Sequence, residues 1–309
     1  MTAIFRWDTQ KHPCLRESWI IDYILSRNIQ HLEIDCFDGF QDLAGFDRIT
    51  SLRSFTVKNI FSSLSMTGKR VREVLQGSRK IIAQSPELNT LGISTACHVA
   101  TEHSPTLHGF LPPSKEGSQP LSLKHLQVSC LRMLLDTRIL FHLRHLQSLS
   151  IRNNLPTPEL GSNLSTIWRT LKDENIHLTS VDLSLVDVED GFLDYLLSNP
   201  AIRDVVLDNS ARVWYSTSQA NIIATRFFEE ILPKISHLLR TLHIVSFSAN
   251  KWCFGAHNAA AFGTCKNLRI LKVSISISGP KPWSGDAESK AMVIPLVDIY
   301  FTNAEYTVA

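Results

Sequence analysis

Two rhythms of apolar residues alternate along this chain. The first is a short burst at positions i, i+3 and i+5, plainest at Leu146, Leu149 and Ile151, in a stretch that runs from Leu143 to Asn154. Its last step has the period of a strand that buries every second side chain. About nine bursts follow one another: Ile29/Leu32/Ile34/Phe37, Leu52/Phe55/Val57/Ile60, Leu88/Leu91/Ile93, Leu123/Leu126/Val128/Leu131, Leu146/Leu149/Ile151, Leu178/Val181/Leu183/Val186, Ile202/Val205/Leu207, Leu239/Leu242/Ile244/Phe247 and Leu268/Leu271/Val273. The second rhythm is helical and predicts helices over 19–26, 69–83, 134–142, 162–172, 189–198, 219–231 and around 257–262. Trp19, Ile20, Tyr23 and Ile24 make the apolar side of the first helix; Val71, Val74, Leu75 and Ile82 make that of the second. Pro86, Pro200 and Pro233 each follow a predicted helix and mark its end. Residues 98–120, 208–218 and 278–291 carry turn formers and read as loops, 1–18 as an irregular lead-in, and 293–300 as a last strand.

The middle positions of the bursts fall at 32, 55, 91, 126, 149, 181, 205, 242 and 271, with steps of 23, 36, 35, 23, 32, 24, 37 and 29 residues. Leucine-rich repeats run about 20–29 residues, so the longer steps must hold a full helix or an insertion, and the helical patterns lie in those gaps. Strand, turn and helix repeated in this way predict an α/β leucine-rich-repeat solenoid, a horseshoe with a parallel sheet on its concave side and helices outside. The expected organisation is a lead-in or partial cap over 1–28, a solenoid of about nine irregular repeats over 29–292, and a cap strand or tail over 293–309.

Composition narrows the function without naming it. Lys and Arg number 31 against 29 Asp and Glu, so a nucleic-acid or acidic-membrane surface is not expected. The start, MTAIFRWDTQKHP, has no apolar leader core, and no apolar run reaches the length of a membrane span. The six cysteines form no CxxC pair and read as buried, reduced thiols, which points to a cytoplasmic or nuclear protein.

Chemistry leaves few candidates. His98, His103 and His108 step by five residues, which matches no standard zinc spacing. His142 and His145 lie at a helix end, where the helix dipole favours them. Glu33 and Asp35 put two carboxylates on one strand face, an arrangement that a glycosidase uses but that is commoner as plain surface. Nucleophile elbow, P-loop and dinucleotide fingerprints are all missing from the sequence. The expectation is a non-enzymatic protein with no cofactor and no metal.

A binding surface is the remaining option. Between the buried residues of successive strands, one outward column runs Glu33, Thr56, Gly92, Gln127, Ser150, Asp182, Val206, His243, Lys272. A second runs Asp35, Lys58, Ser94, Ser129, Arg152, Ser184, Asp208, Val245, Ser274. Gln127, Ser129, Ser150, Arg152, Asp182, Asp208 and His243 are the candidate partner contacts on this face, and the small, neutral middle from Gly92 to Ser150 would admit a close-packed partner or another part of the chain. Trp214, Tyr215, Trp252, Phe254 and Trp283 follow the last three bursts and are candidate interface anchors at one edge; the alternative is that they fold back onto their own repeats.

The segments SPELNTLGIS, LSLKHLQVSC, LRHLQSLSIRNN and CKNLRILKVSIS resemble the irregular repeats of divergent fungal F-box/leucine-rich-repeat proteins, over residues 29–280. That resemblance implies the substrate-recognition part of a ubiquitin-ligase receptor: an F-box helix bundle docks a cullin-ligase adaptor and the repeat surface holds a protein substrate. Residues 1–28 are too few for the three-helix F-box and carry no Leu-Pro-x-Glu start, so the receptor role needs an F-box upstream of Met1 or one supplied by another segment, and residues 1–28 otherwise make an unusual cap. A stand-alone scaffold or sensor, unrelated to ubiquitination, is the alternative.

Overall fold

The computed structural model describes residues 4–8, 18–36, 48–60, 68–95, 106–113, 119–152, 164–209, 217–246, 250–277 and 292–300. The fold is α/β, with parallel strand pairs and helices in the connections between them. The chain packs as two compact units, Met1–Leu149 with Asn153–Asn163, and Ser150–Arg152 with Leu164–Ala309.

In the first unit the strands are β1 (Ile4–Asp8), β2 (His31–Asp35), β3 (Ser54–Ile60), β4 (Thr90–Thr95) and β5 (His125–Ser129), each parallel to the next. The helices are α1 (Ser18–Ser26), α2 (Gly68–Ala83), α3 (Leu107–Phe110) and α4 (Thr137–Leu143). β6 (Ser148–Arg152) is divided between the units. The second unit holds α5 (Leu164–Asp173), β7 (Ser180–Ser184), α6 (Asp190–Ser198), β8 (Asp204–Asn209), α7 (Thr217–Arg226), a π-helical turn (Phe227–Ile231), α8 (Leu232–Ile235), β9 (Thr241–Ser246), α9 (Ala259–Gly263), β10 (Ile270–Ile277) and β11 (Met292–Tyr300). There β7 to β10 pair in parallel, whereas β11 runs antiparallel to β10.

The burst residues are the core. Leu32, Phe55, Leu91 and Leu126 are Cα partners across β2 to β5 and at most 1% exposed. Val181, Val205, Leu242 and Leu271 do the same from β7 to β10, at most 4% exposed. Burial of the alternate residues fixes register, since a slip by one would turn every side chain to the other face. Phe37 and Phe247 lie outside the described residues.

A second regularity sits at the entry to seven of the strands, two residues before the middle burst position. There one carbonyl accepts two backbone N–H groups from the next repeat. In the first unit Gln30 O takes Arg53 and Ser54, Arg53 O takes Asn89 and Thr90, Asn89 O takes Lys124 and His125, and Lys124 O takes Gln147 and Ser148, all at 2.8–3.0 Å. In the second unit Thr179 O takes Arg203 and Asp204, Arg203 O takes Arg240 and Thr241, and Arg240 O takes Arg269 and Ile270, at 2.7–3.1 Å.

Several elements depart from the sequence reading. β1 lies in the stretch read as irregular lead-in, and its five residues pair with the whole of β2. Tyr23, assigned to the apolar side of α1, is 48% exposed, and Ile21 is buried in that helix instead. The insertion read as a surface loop over 98–120 carries α3, whose Leu107 and Phe110 are fully buried together with Leu111. The helix expected to stop at Pro233 continues through it. Pro233 has no N–H and its ring crowds the preceding turn, and the ladder opens ahead of it: Leu232 N–H reaches back five residues to Phe227 O. Cys130 is disulfide-bonded, contrary to the reduced thiols expected, while Cys36, Cys253 and Cys265 are free and buried.

The second unit is pinned by a buried polar knot. Tyr195 Oη donates to Ile176 O and accepts from Leu178 N–H, both at 2.9 Å. Asn199 Nδ2 donates to Leu178 O at 2.7 Å, and its Oδ1 accepts from Ala201 N–H at 3.0 Å. Trp168 stacks over the same ring at 5.4 Å and on Phe192 at 4.8 Å. The knot ties α6 to the segment that leads into β7, and its bonds to Ile176 and Leu178 are buried. Tyr195→Phe leaves Leu178 N–H and Ile176 O without their partner, and Asn199→Ala does so for Leu178 O and Ala201 N–H. Each is expected to destabilise the second unit by about 1–3 kcal/mol in urea melts, with the m-value unchanged.

Candidate functional site

The outward column is in the register that the alternation predicts. Glu33, Thr56, Gly92 and Gln127 are successive Cα partners in the first unit, and Asp182, Val206, His243 and Lys272 in the second. The side chains on this face are partly exposed and polar. Much of that polarity is spent on neighbouring strands.

On the first unit Glu33 accepts from Lys58 Nζ at 2.8 Å and lies 3.7 Å from Arg6 of β1. Asp35 accepts from Asn59 Nδ2 at 2.7 Å. The two carboxylates therefore face cationic or amide donors, not each other. Gly92 is buried, and a Cβ there would fall 2.8 Å from Thr56 Oγ1. The gap expected to admit a partner at Gly92 is filled by the chain's own Thr56. Gln127 is exposed. Ser129 is only 7% exposed and does not belong to the open face, because the strand's alternation ends there and Thr95 Oγ1 covers the turn, donating to Cys130 O at 2.5 Å.

The second unit brings three of the predicted residues together around one carboxylate. Asp182 Oδ2 accepts from Ser150 Oγ and Arg152 Nη2, both at 2.9 Å, and Oδ1 accepts from Ser184 Oγ at 2.7 Å. Partial burial disfavours the charged form of Asp182, but the bonds from Ser184, Arg152 and Ser150, with the charge of Arg152, outweigh it and hold the carboxyl below its ordinary range. Asp208 stands beside Ser184 in register, and His243 beside Val206 and Lys272. Val245 and Ser274 of the second column are buried, contrary to the alternation. Ser274 Oγ accepts from Ser246 N–H at 3.1 Å where β10 bulges between Val273 and Ile275.

Trp252 and Phe254 are not surface anchors. Trp252 is 9% exposed and packs on Phe227 and Phe228 at 5.4 and 5.8 Å, and Phe254 packs on Phe262 at 5.5 Å. Phe228 and Phe262, 5.3 Å apart, join the two halves into one aromatic cluster. Phe227 and Phe228 lie before β9 and Phe262 lies in α9, so the fold, and not sequence proximity, brings the cluster together. Trp214, Tyr215 and Trp283 lie outside the described residues.

Burial and the neighbouring charge of Glu189 raise the Asp187 carboxyl to about 6. Among the described residues no group of His, Cys, Asp and Glu is placed to hold a metal ion. Burial keeps the thiols of Cys36 and Cys265 protonated, pushing Cys265 up to about 11. His108 pairs with Asp136 at 2.8 Å, and His142 is buried. Among the described residues no helix is long and apolar enough to cross a membrane. No protein-family model matches the sequence, and no curated protein matches it.

Because the folded state favours charged Asp182, its stabilisation is present above the ordinary carboxylate pKa near 4 and is lost as pH falls below that value. Asp182→Asn is expected to lower stability by about 1 kcal/mol at pH 7, screening at the half-exposed Arg152 keeping the figure small. Urea melts at pH 7 and pH 3 should show the difference between wild type and variant shrinking in acid. A difference that stays constant would mean that shape, and not the charge, holds Ser150, Arg152 and Ser184 in place.

Proposed function

We propose that this chain is a non-enzymatic protein-binding module of the leucine-rich-repeat kind, a solenoid that offers its strand face to a protein partner, and that it serves as the substrate-recognition part of an F-box type ubiquitin-ligase receptor. The observation that carries the binding role is the outward strand column. Its residues, apart from the buried Gly92, are partly or fully exposed, held in register within each unit by the buried column behind them, and in part fixed by bonds such as those on Asp182. A face preorganised in this way loses little side-chain entropy when it meets a partner. Its charges are largely neutralised within the chain, which favours a partner chosen by shape and hydrogen bonding over one drawn by net charge. The receptor role rests on the repeat segments that resemble F-box/leucine-rich-repeat proteins.

The test is affinity capture with the full-length protein. Gln127→Arg, Val206→Glu and His243→Glu change the strand face; Lys172→Glu, on the exposed side of α5, is the control. The strand-face variants are expected to lose a bound protein that wild type and Lys172→Glu retain, with affinity down at least about tenfold. Retention by all variants contradicts the binding face. Co-purification of a cullin-ligase adaptor separates the receptor role from a stand-alone scaffold: its absence from an otherwise intact complex removes the receptor role and leaves the module.

A further inference from the structure

The insertion between β4 and β5 is fastened at two places of different chemistry. Its first described part, Thr106–Leu111, is anchored several times over. Leu107 N–H donates to Arg132 O at 3.1 Å, and Arg79 of α2 donates to His108 O at 3.0 Å and to Gly109 O at 3.2 Å. His108 Nε2 meets Asp136 Oδ2 at 2.8 Å, while Leu107, Phe110 and Leu111 are fully buried.

Beyond Leu111 a single side chain bridges the two described flanks. His142, in the last turn of α4, has one ring nitrogen on each: Nε2 lies 3.1 Å from Pro112 O, and Leu121 N–H donates to Nδ1 at 3.3 Å. A backbone N–H can only donate, so Nδ1 must be the bare nitrogen. The ring proton is then on Nε2 and is given to the Pro112 carbonyl. The residue is 2% exposed, with Phe141 against it edge-on at 5.1 Å.

A second proton on this ring has no acceptor. It would sit on Nδ1, facing the Leu121 N–H, and two donors cannot bond. Among the described residues the charged group that acts on the ring is Arg138 of the same helix, of the wrong sign to stabilise a cation. Asp136, the acid on α4, is committed to His108 and to capping the helix through Ile139 N–H at 3.0 Å. Arg79, from α2, is committed to the carbonyls of residues 108 and 109. Burial, set against the Pro112 bond and joined by Arg138, holds the His142 pKa below its ordinary value.

We propose that His142 is a proton-released clasp on the β4–β5 insertion: neutral, it joins Pro112 to Leu121, and protonated, it lets the Leu121 side go while Thr106–Leu111 stays anchored. Protonation breaks the His142 bridge but leaves the anchor's backbone bond from Leu107 N–H to Arg132 O and the bonds from Arg79 to the carbonyls of His108 and Gly109 in place, so acid frees the flank beyond the anchor. Acidification would thereby expose Leu121, which is 5% exposed with the clasp closed.

Amide hydrogen exchange and ring-nitrogen NMR on the full chain test this. At pH 7.5 the His142 ring is expected in the Nε2–H form. Between pH 7.5 and pH 5.0 the protection factor of Leu121 N–H should fall about tenfold or more, while that of Leu111 N–H, bonded to Leu107 O, stays within about twofold. In His142→Gln the Leu121 protection should no longer depend on pH, whatever its level. An Nδ1–H tautomer in the wild type overturns the proposal. So does Leu121 protection that ignores pH, a fall of equal size in His142→Gln, or loss of protection across the whole first unit at pH 5.0.

Discussion

Seven of the repeats begin with one carbonyl that takes two N–H groups from the repeat after it. This shared acceptor sets where each of the following strands starts relative to its neighbour. Gln30, Arg53, Asn89 and Lys124 supply it in the first unit; Thr179, Arg203 and Arg240 supply it in the second. Because the contact is made by backbone, it places almost no demand on residue type, and these positions hold Gln, Arg, Asn, Lys and Thr. The residue two places on is always apolar. Backbone sets the offset and burial of that residue locks it, so the connection between strands is free to vary, with repeat steps of 23 to 37 residues.

Locked register has a consequence for the opposite face. Residues between the buried ones are carried into columns whether or not they attract one another, and polar neighbours then find partners across strands: Lys58 with Glu33, Asn59 with Asp35, Ser150, Arg152 and Ser184 with Asp182. Exposed pairs of this kind add little stability. What they supply is a surface with few mobile side chains and little uncompensated charge.

The strands were legible because burial on one face writes a period-two pattern that survives substitution among Leu, Ile, Val and Phe. The helices were legible within two to three residues at most ends. β1 was not, because Ile-Phe-Arg-Trp-Asp carries no burst and gains its place by pairing with β2. Nor was the interior of the β4–β5 insertion. Its Pro, Ser and His content reads as loop, although Leu107, Phe110 and Leu111 have the i, i+3, i+4 spacing of a buried turn. Trp252 and Phe254 misled for a related reason: loop aromatics have two uses, and sequence order does not reveal that Phe227, Phe228 and Phe262 stand where they can be covered. The disulfide at Cys130 left no spacing signal, and it removes the cysteine argument for a reducing compartment. Candidate face residues were placed correctly where alternation held and misplaced where it ended, at Ser129, Val245 and Ser274.

The central claim is that the shared carbonyls set the register. Site-resolved hydrogen exchange under native conditions tests it most directly. Both donors to each carbonyl are expected to be protected as strongly as the strand amides that follow: Arg53 with Ser54, Asn89 with Thr90, Lys124 with His125, Gln147 with Ser148, Arg203 with Asp204, Arg240 with Thr241, Arg269 with Ile270. If only the second of each pair is slow, and the first exchanges like an open turn, the carbonyl is not shared. Register would then rest on side-chain burial alone, and the claim that backbone sets the offset between strands would be contradicted.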